Sequence, residues 1–219
     1  MVRIKICGMR RPEDMEMVNK YKPDYIGFVF AESPRNVSYE QAKELSAQLS
    51  EDIIPVGVFV NERMKLIVDL YKDGIIKMAQ LHGDEDETYI RNLKSKSLEY
   101  VGSEIPVINA IEINDDNDKN NNDFNDKLLK WRDSLSDYFI LDSGKGSGKT
   151  FDWSLIDKNS EFFKNSIFLA GGLNSENLDS AIIEFNPFAV DLSSSVETDG
   201  FKDEEKIKEI IEIVDKYRK

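Results

Sequence analysis

One cysteine, Cys7, and one histidine, His82, stand in a chain of 219 residues. A lone thiol excludes an intramolecular disulfide, so nothing in the sequence demands an oxidising compartment. A lone imidazole excludes three-histidine and HExxH zinc sites, and a Ser-His-Asp triad would have to use His82. Cys7 closes the run Val2-Arg3-Ile4-Lys5-Ile6. A thiol beside cations ionises readily and then acts as a base or nucleophile; elsewhere it is a small buried hydrophobe. Asp142 closes Tyr138-Phe139-Ile140-Leu141. A carboxyl group whose pKa is raised by burial is a general acid; the alternative is a turn cap. Arg35, in Ser33-Pro34-Arg35, offers a fork that matches a carboxylate, the local cation that an acidic chain needs to hold an anion. Gly171-Gly172 and Ser193-Ser194-Ser195 are segments whose backbone can approach a phosphate closely.

These residues need elements to position them. Eight apolar, β-rich runs at 2–7, 25–30, 53–60, 76–80, 105–111, 138–142, 167–170 and 188–192 predict strands. Their centres lie roughly 20 to 32 residues apart, with helical patterns between them. Helical stripes are carried by Ile207, Ile210, Ile211, Val214 and Tyr217, and by Met64, Ile67, Val68 and Tyr71 after Asn61. Leu178, Ala181, Ile182 and Phe185 form another, with Asn174 expected as N-cap and Asn177 at N3. Eight βα units predict an α/β fold, a single-domain (β/α)8 TIM barrel over residues 1–219. An open doubly wound sheet would carry fewer strands and a glycine-rich loop after the first; here that turn reads Cys7-Gly8-Met9-Arg10-Arg11. Barrel chemistry collects at the C-terminal ends of the strands, where all the residues singled out above fall. Period-2 alternation puts Arg3, Lys5 and Cys7 on one face and Val2, Ile4 and Ile6 on the other, so Cys7 is expected to point into the barrel mouth.

Lys and Arg total 29 against 42 Asp and Glu, a net charge of −13. This argues against nucleic acid as a partner and against anionic membranes. No stretch approaches the ~18 apolar residues of a spanning helix, and the N-terminal run carries charges that a signal core lacks. A soluble protein of the cytoplasm is expected. Residues 114–125 are almost wholly Asp and Asn. They read as a solvated loop insert, since a calcium loop would need a central glycine and a terminal glutamate. Ser143-Gly144-Lys145-Gly146-Ser147-Gly148-Lys149-Thr150 has Ser143 where a P-loop needs glycine, and Asp152 reads as the cap of the next helix. A lid over a phosphorylated ligand fits better.

Several segments now appear in a fixed order. They are Lys5-Ile6-Cys7-Gly8, Gly27-Phe28-Val29-Phe30 with Ser33-Pro34-Arg35, Val56-Gly57-Val58-Phe59-Val60-Asn61 and Gln80-Leu81-His82-Gly83. After them come Gly146-Ser147-Gly148-Lys149-Thr150-Phe151-Asp152-Trp153, Ala170-Gly171-Gly172-Leu173 and Val190-Asp191-Leu192-Ser193-Ser194. The ordered set resembles the phosphoribosylanthranilate isomerases of tryptophan biosynthesis over nearly the whole chain. The resemblance implies a (β/α)8 barrel and an Amadori rearrangement of N-(5-phosphoribosyl)anthranilate without a cofactor or metal. It implies Cys7 as general base, Asp142 as general acid and Arg35 on the anthranilate carboxylate. Gly171, Gly172, Ser193 and Ser194 would hold the phosphate, with Gly148 in the loop over the substrate. The partner is then a small phosphorylated molecule, and the chain works as a monomer or homodimer. The sequence departs from the family at Ser195, where glycine is common, at Asn109, where lysine is frequent, in the short loop 143–149, and at Asp199-Gly200, which lacks the usual proline. A histidine-pathway isomerase would show two half-barrel repeats with an aspartate in each, and a catalytically silent barrel would not keep Cys7, Asp142 and Arg35 together.

Overall fold

Runs rich in β-branched and aromatic residues form eight short strands: β1 Arg3–Cys7, β2 Tyr25–Val29, β3 Ile54–Phe59, β4 Met78–Leu81, β5 Val107–Glu112, β6 Tyr138–Asp142, β7 Ile167–Leu169 and β8 Ala189–Leu192. Each falls within about two residues of a run expected from sequence. The computed structural model describes residues 1–112, 134–142 and 166–218. Among these the helices are α1 Pro12–Tyr21, α2 Tyr39–Ser46, α3 Met64–Lys72, α4 Glu87–Val101, α5 Leu178–Phe185 and α6 Glu204–Asp215. The strands hydrogen-bond in chain order and close into a barrel, with parallel pairing throughout the registers β1–β5 and β6–β8.

Register decides which side chains share a face. Cys7 pairs with Gly27, Gly27 with Val56, and Val56 with Met78. One pleat further along, Val29 pairs with Val58 and Val58 with Gln80. Paired residues on parallel strands point the same way, so Cys7, Val29, Val58 and Gln80 share a face. Ile4, Ile6, Ile26, Phe28, Phe59 and Leu81 point the other way and are completely buried. Each such side chain contributes roughly 1.5–3 kcal/mol.

The helices start where side chains accept the first free amides. Ser38 accepts from the Gln41 N–H, Asp86 from the Tyr89 N–H, and Asp203 from the Glu205 and Lys206 N–H groups. Asn177 directly precedes α5 and makes no side-chain capping bond to it. The capping bonds come from the expected pair: Asn174 Oδ1 accepts from Glu176 at 2.9 Å and from Asn177 at 3.3 Å, Asn177 Oδ1 accepts from the Asn174 N–H at 2.8 Å, and the Leu178 N–H donates to the Asn174 carbonyl at 3.0 Å. Tyr217, placed in the last helical stripe, lies past the end of α6. A short 3-10 turn, Ser194–Val196, and a two-stranded antiparallel ribbon, β9 Glu197–Thr198 with β10 Phe201–Lys202, follow β8.

Contacts divide the chain into two compact units. One comprises Lys5–Asn109 and Leu135–Asp137 and holds β2 to β4 and α1 to α4. The other comprises Met1–Ile4, Ala110–Ser134 and Tyr138–Lys219 and holds β6 to β8, the ribbon, α5 and α6.

Candidate active site

Cys7 is the last residue of β1, a thiol in no disulfide that is 8% exposed. It packs with Val29 and Val58, and Ala31 lies against this cluster. The space for its sulfur depends on Gly27, where a Cβ would lie 2.6 Å from Sγ. Gly8 takes a left-handed φ of 94°, and the N–H groups of Gly8 and Met9 both donate to the Gly27 carbonyl, at 2.9 and 3.0 Å. A Cβ on Gly8 would lie 2.5 Å from Arg35 Cδ. The arginine stem therefore crosses the backbone directly beside the thiol-bearing residue. The loop that carries it is pinned: Arg35 N–H donates to Ser33 Oγ at 3.1 Å, Val37 N–H to the Val29 carbonyl at 2.9 Å, and Arg10 to the Pro34 carbonyl at 2.6 Å. The structure thus places the Arg35 stem against Gly8, the residue that follows Cys7.

The end of β4 adds groups to which the sequence assigned no role. Gln80 is 2% exposed, with its Nε2 3.1 Å from His82 Nδ1. His82 is held in turn by its N–H on the Phe59 carbonyl at 2.9 Å. Behind it, the buried carboxylate of Glu85 accepts from the Gly83 N–H at 2.8 Å and the Asn61 N–H at 2.6 Å. This ties the loop after β4 to the loop after β3. Gly83 has no room for a side chain, since a Cβ would meet Asn61 Oδ1 at 2.7 Å. Tyr89 on α4 donates to the Glu62 carbonyl at 2.6 Å. Burial, then the charges of Glu85 and Glu62, push its phenol up, so it stays a donor at any working pH.

In the other unit, Asp142 ends β6 and is partly exposed. The Ala170 N–H donates to the Leu141 carbonyl at 2.9 Å, so the ends of β6 and β7 are level and Asp142 and Gly171 begin neighbouring loops. Gly171 and Gly172 have φ of 82° and 65°, a doubly left-handed turn that side chains disfavour. The Gly172 carbonyl accepts from Asn177 Nδ2 at 2.9 Å. After β8, Ser193 leads into the 3-10 turn at Ser194. Lys202, 4% exposed, donates to the Ser193 carbonyl at 2.9 Å and to Glu197 Oε1 at 2.8 Å. A buried ion pair thus fixes the backbone of the serine turn, a device invisible in the sequence, where Lys202-Asp203 reads as ordinary surface charge.

Gly148, the loop 143–149 expected as a lid, the Asp/Asn-rich segment 114–125 and the expected cap Asp152 lie outside the described residues. Among the described residues no group of His, Cys, Asp and Glu could hold a metal ion, and no helix is long and apolar enough to cross a membrane.

Residues 4–213 match the family model of N-(5'phosphoribosyl)anthranilate (PRA) isomerase. The N-(5'-phosphoribosyl)anthranilate isomerase of Clostridium acetobutylicum is 42% identical over 223 residues, covering 100% of both chains. A structure of mutually generated monomers of the dimeric phosphoribosylanthranilate isomerase of Thermotoga maritima is similar with a TM-score of 0.80 and 38% identity, over 99% of this chain and 100% of that one. A phosphoribosyl anthranilate isomerase in complex with reduced 1-(o-carboxyphenylamino)-1-deoxyribulose 5-phosphate gives a TM-score of 0.79 and 37% identity, over 99% and 100% of the two chains. End-to-end identity at this level, on a closed barrel with a thiol closing β1 and an aspartate closing β6, shows that the chain belongs to the N-(5'-phosphoribosyl)anthranilate isomerase family.

Proposed function

We propose that this protein isomerises N-(5'-phosphoribosyl)anthranilate to 1-(o-carboxyphenylamino)-1-deoxyribulose 5-phosphate in tryptophan biosynthesis, with Cys7 as general base and Asp142 as general acid. The observation that carries the reading is the reduced thiol of Cys7 closing β1, given room by Gly27, with the stem of Arg35 against the next residue, Gly8.

Asp142 gives a proton to the furanose ring oxygen. The C1′–O bond breaks, its electron pair stays on that oxygen, and the anilino lone pair forms C1′=N⁺. The iminium acidifies the C2′ proton, which the Cys7 thiolate takes. The freed pair forms C1′=C2′ and neutralises the nitrogen. The enol then loses its hydroxyl proton and C1′ gains one, leaving a ketone at C2′ and an amine at C1′. The proton Cys7 took and the one Asp142 gave balance these last two transfers. The reaction is redox-neutral overall, and in this reading each proton transfer falls to a side chain of the chain itself. Each of the two groups is worth roughly 10²–10⁴-fold.

Arg35 holds the anthranilate carboxylate through its fork. Gly171 and Gly172 on one loop and Ser193 and Ser194 on the next hold the phosphate, and Gly148 lies in the loop over it. The enzyme works in the cytoplasm as one barrel, alone or as a homodimer; the Thermotoga maritima relative is described as dimeric. Purified protein mixed with N-(5'-phosphoribosyl)anthranilate should convert it catalytically to the ribulose product. No conversion would overturn the reading.

A further inference from the structure

We infer that Gln80 contacts the substrate, its Oε1 accepting a hydrogen bond from a hydroxyl of the sugar. The starting point is an unmet need. Gln80 is 2% exposed, and its Oε1 is buried without a hydrogen-bond partner. Such groups are rare in folded proteins, and each calls for a reason. The other end of the same carboxamide is engaged, Nε2 lying 3.1 Å from His82 Nδ1. With His82 Nδ1 accepting from this amide nitrogen, the oxygen is left as the open end of the side chain.

Position says what the oxygen waits for. Gln80 pairs in register with Val58, and Val58 pairs with Val29. Those two valines are the residues packed on Cys7. Gln80 therefore lies at the C-terminal end of β4 on the face that carries the thiol. A carbonyl oxygen only accepts, so its partner must be a donor. The phosphate and carboxylate of the proposed substrate carry none; its donors are the sugar hydroxyls at C2′ and C3′ and the anilino N–H, whose lone pair is committed to the iminium during the reaction, so the hydroxyls are the donors that a neutral acceptor can hold throughout. Cys7 takes the C2′ proton, which brings that part of the sugar to this face. A neutral amide also suits the place, because it orients a hydroxyl without competing for the protons that move. The inference rests on the isomerase reading above.

Gln80→Met removes the amide at nearly constant volume. KM for N-(5'-phosphoribosyl)anthranilate should rise about tenfold, the usual worth of one neutral hydrogen bond. Because Gln80→Met also removes the Nε2 contact to His82 Nδ1, its ligand-free melting temperature reads the loss of that contact alone, and the KM and analogue measurements carry the test. Binding of reduced product analogues lacking the 2′- or the 3′-hydroxyl gives an independent readout. One of them should bind wild type about tenfold more weakly than the parent compound, and that difference should vanish in Gln80→Met. An unchanged KM in a folded Gln80→Met overturns the inference. So does wild type that binds both deoxy analogues as tightly as the parent, a result that needs no variant at all. Wild type without any turnover would instead sink the isomerase reading itself.

Discussion

At the scale of single residues, the site rests on unlike groups doing separable work. In the proposed site, Arg35 would recognise a charge that the substrate carries in its ground state and its transition state alike. Arg35→Ala should therefore raise KM more than it lowers kcat, and steady-state kinetics on the natural substrate checks this. An unchanged KM would remove Arg35 from the site. The strand-end places of Cys7, Arg35 and Asp142 were legible in the sequence because each closes or follows a run whose strand character is plain from its branched and aromatic residues. Gln80, Glu85 and the Lys202–Glu197 pair were not. Their significance lies in burial and in partners, such as Asn61 for Glu85, that no local period encodes.

Between elements, the close approach of β1 and β2 is set by one missing side chain. Gly27 leaves the space that Cys7 Sγ occupies. Gly27→Ala should displace the thiol, lowering kcat by roughly 10²-fold while costing about 1–3 kcal/mol of stability. Paired measurements of kcat and melting temperature test this, and an alanine variant with wild-type kcat would contradict it. The start of α6 gives a pH-dependent counterpart. Asp203 accepts from Thr198 Oγ1 at 2.6 Å and from the Lys206 N–H at 3.2 Å, and these bonds lower its pKa from the ordinary 3.8. A carboxylate depressed in the folded state contributes stability above its unfolded pKa and loses it as pH falls through the folded value. Asp203→Ala should thus cost about 1 kcal/mol at pH 7, or roughly 2–4 °C in Tm. The gap to wild type should narrow in melts below about pH 4; a gap independent of pH would contradict the assignment. The ribbon of β9 and β10 escaped the sequence because two-residue strands carry no measurable alternation. The capping pair before α5, Asn174 and Asn177 bonded reciprocally, was legible because two asparagines three apart ahead of an apolar stripe are a helix-start signal.

For the whole molecule, eight βα runs in regular succession made the barrel legible, since period-2 and period-3.6 segments alternating in this way have few other solutions. Its net charge of −13 repels an anionic substrate at long range, so binding must come from short-range cations and backbone amides at the strand ends. The central claim is that the two groups closing β1 and β6 divide the proton transfers between them. The most direct test is kcat for Cys7→Ser and Asp142→Asn, measured beside their affinity for reduced 1-(o-carboxyphenylamino)-1-deoxyribulose 5-phosphate. Serine is a far weaker acid than cysteine and fails as a base, and asparagine has no proton to give. Each variant should lose at least roughly 10²-fold in kcat while still binding the reduced product. Turnover within a few-fold of wild type in either variant would contradict the account.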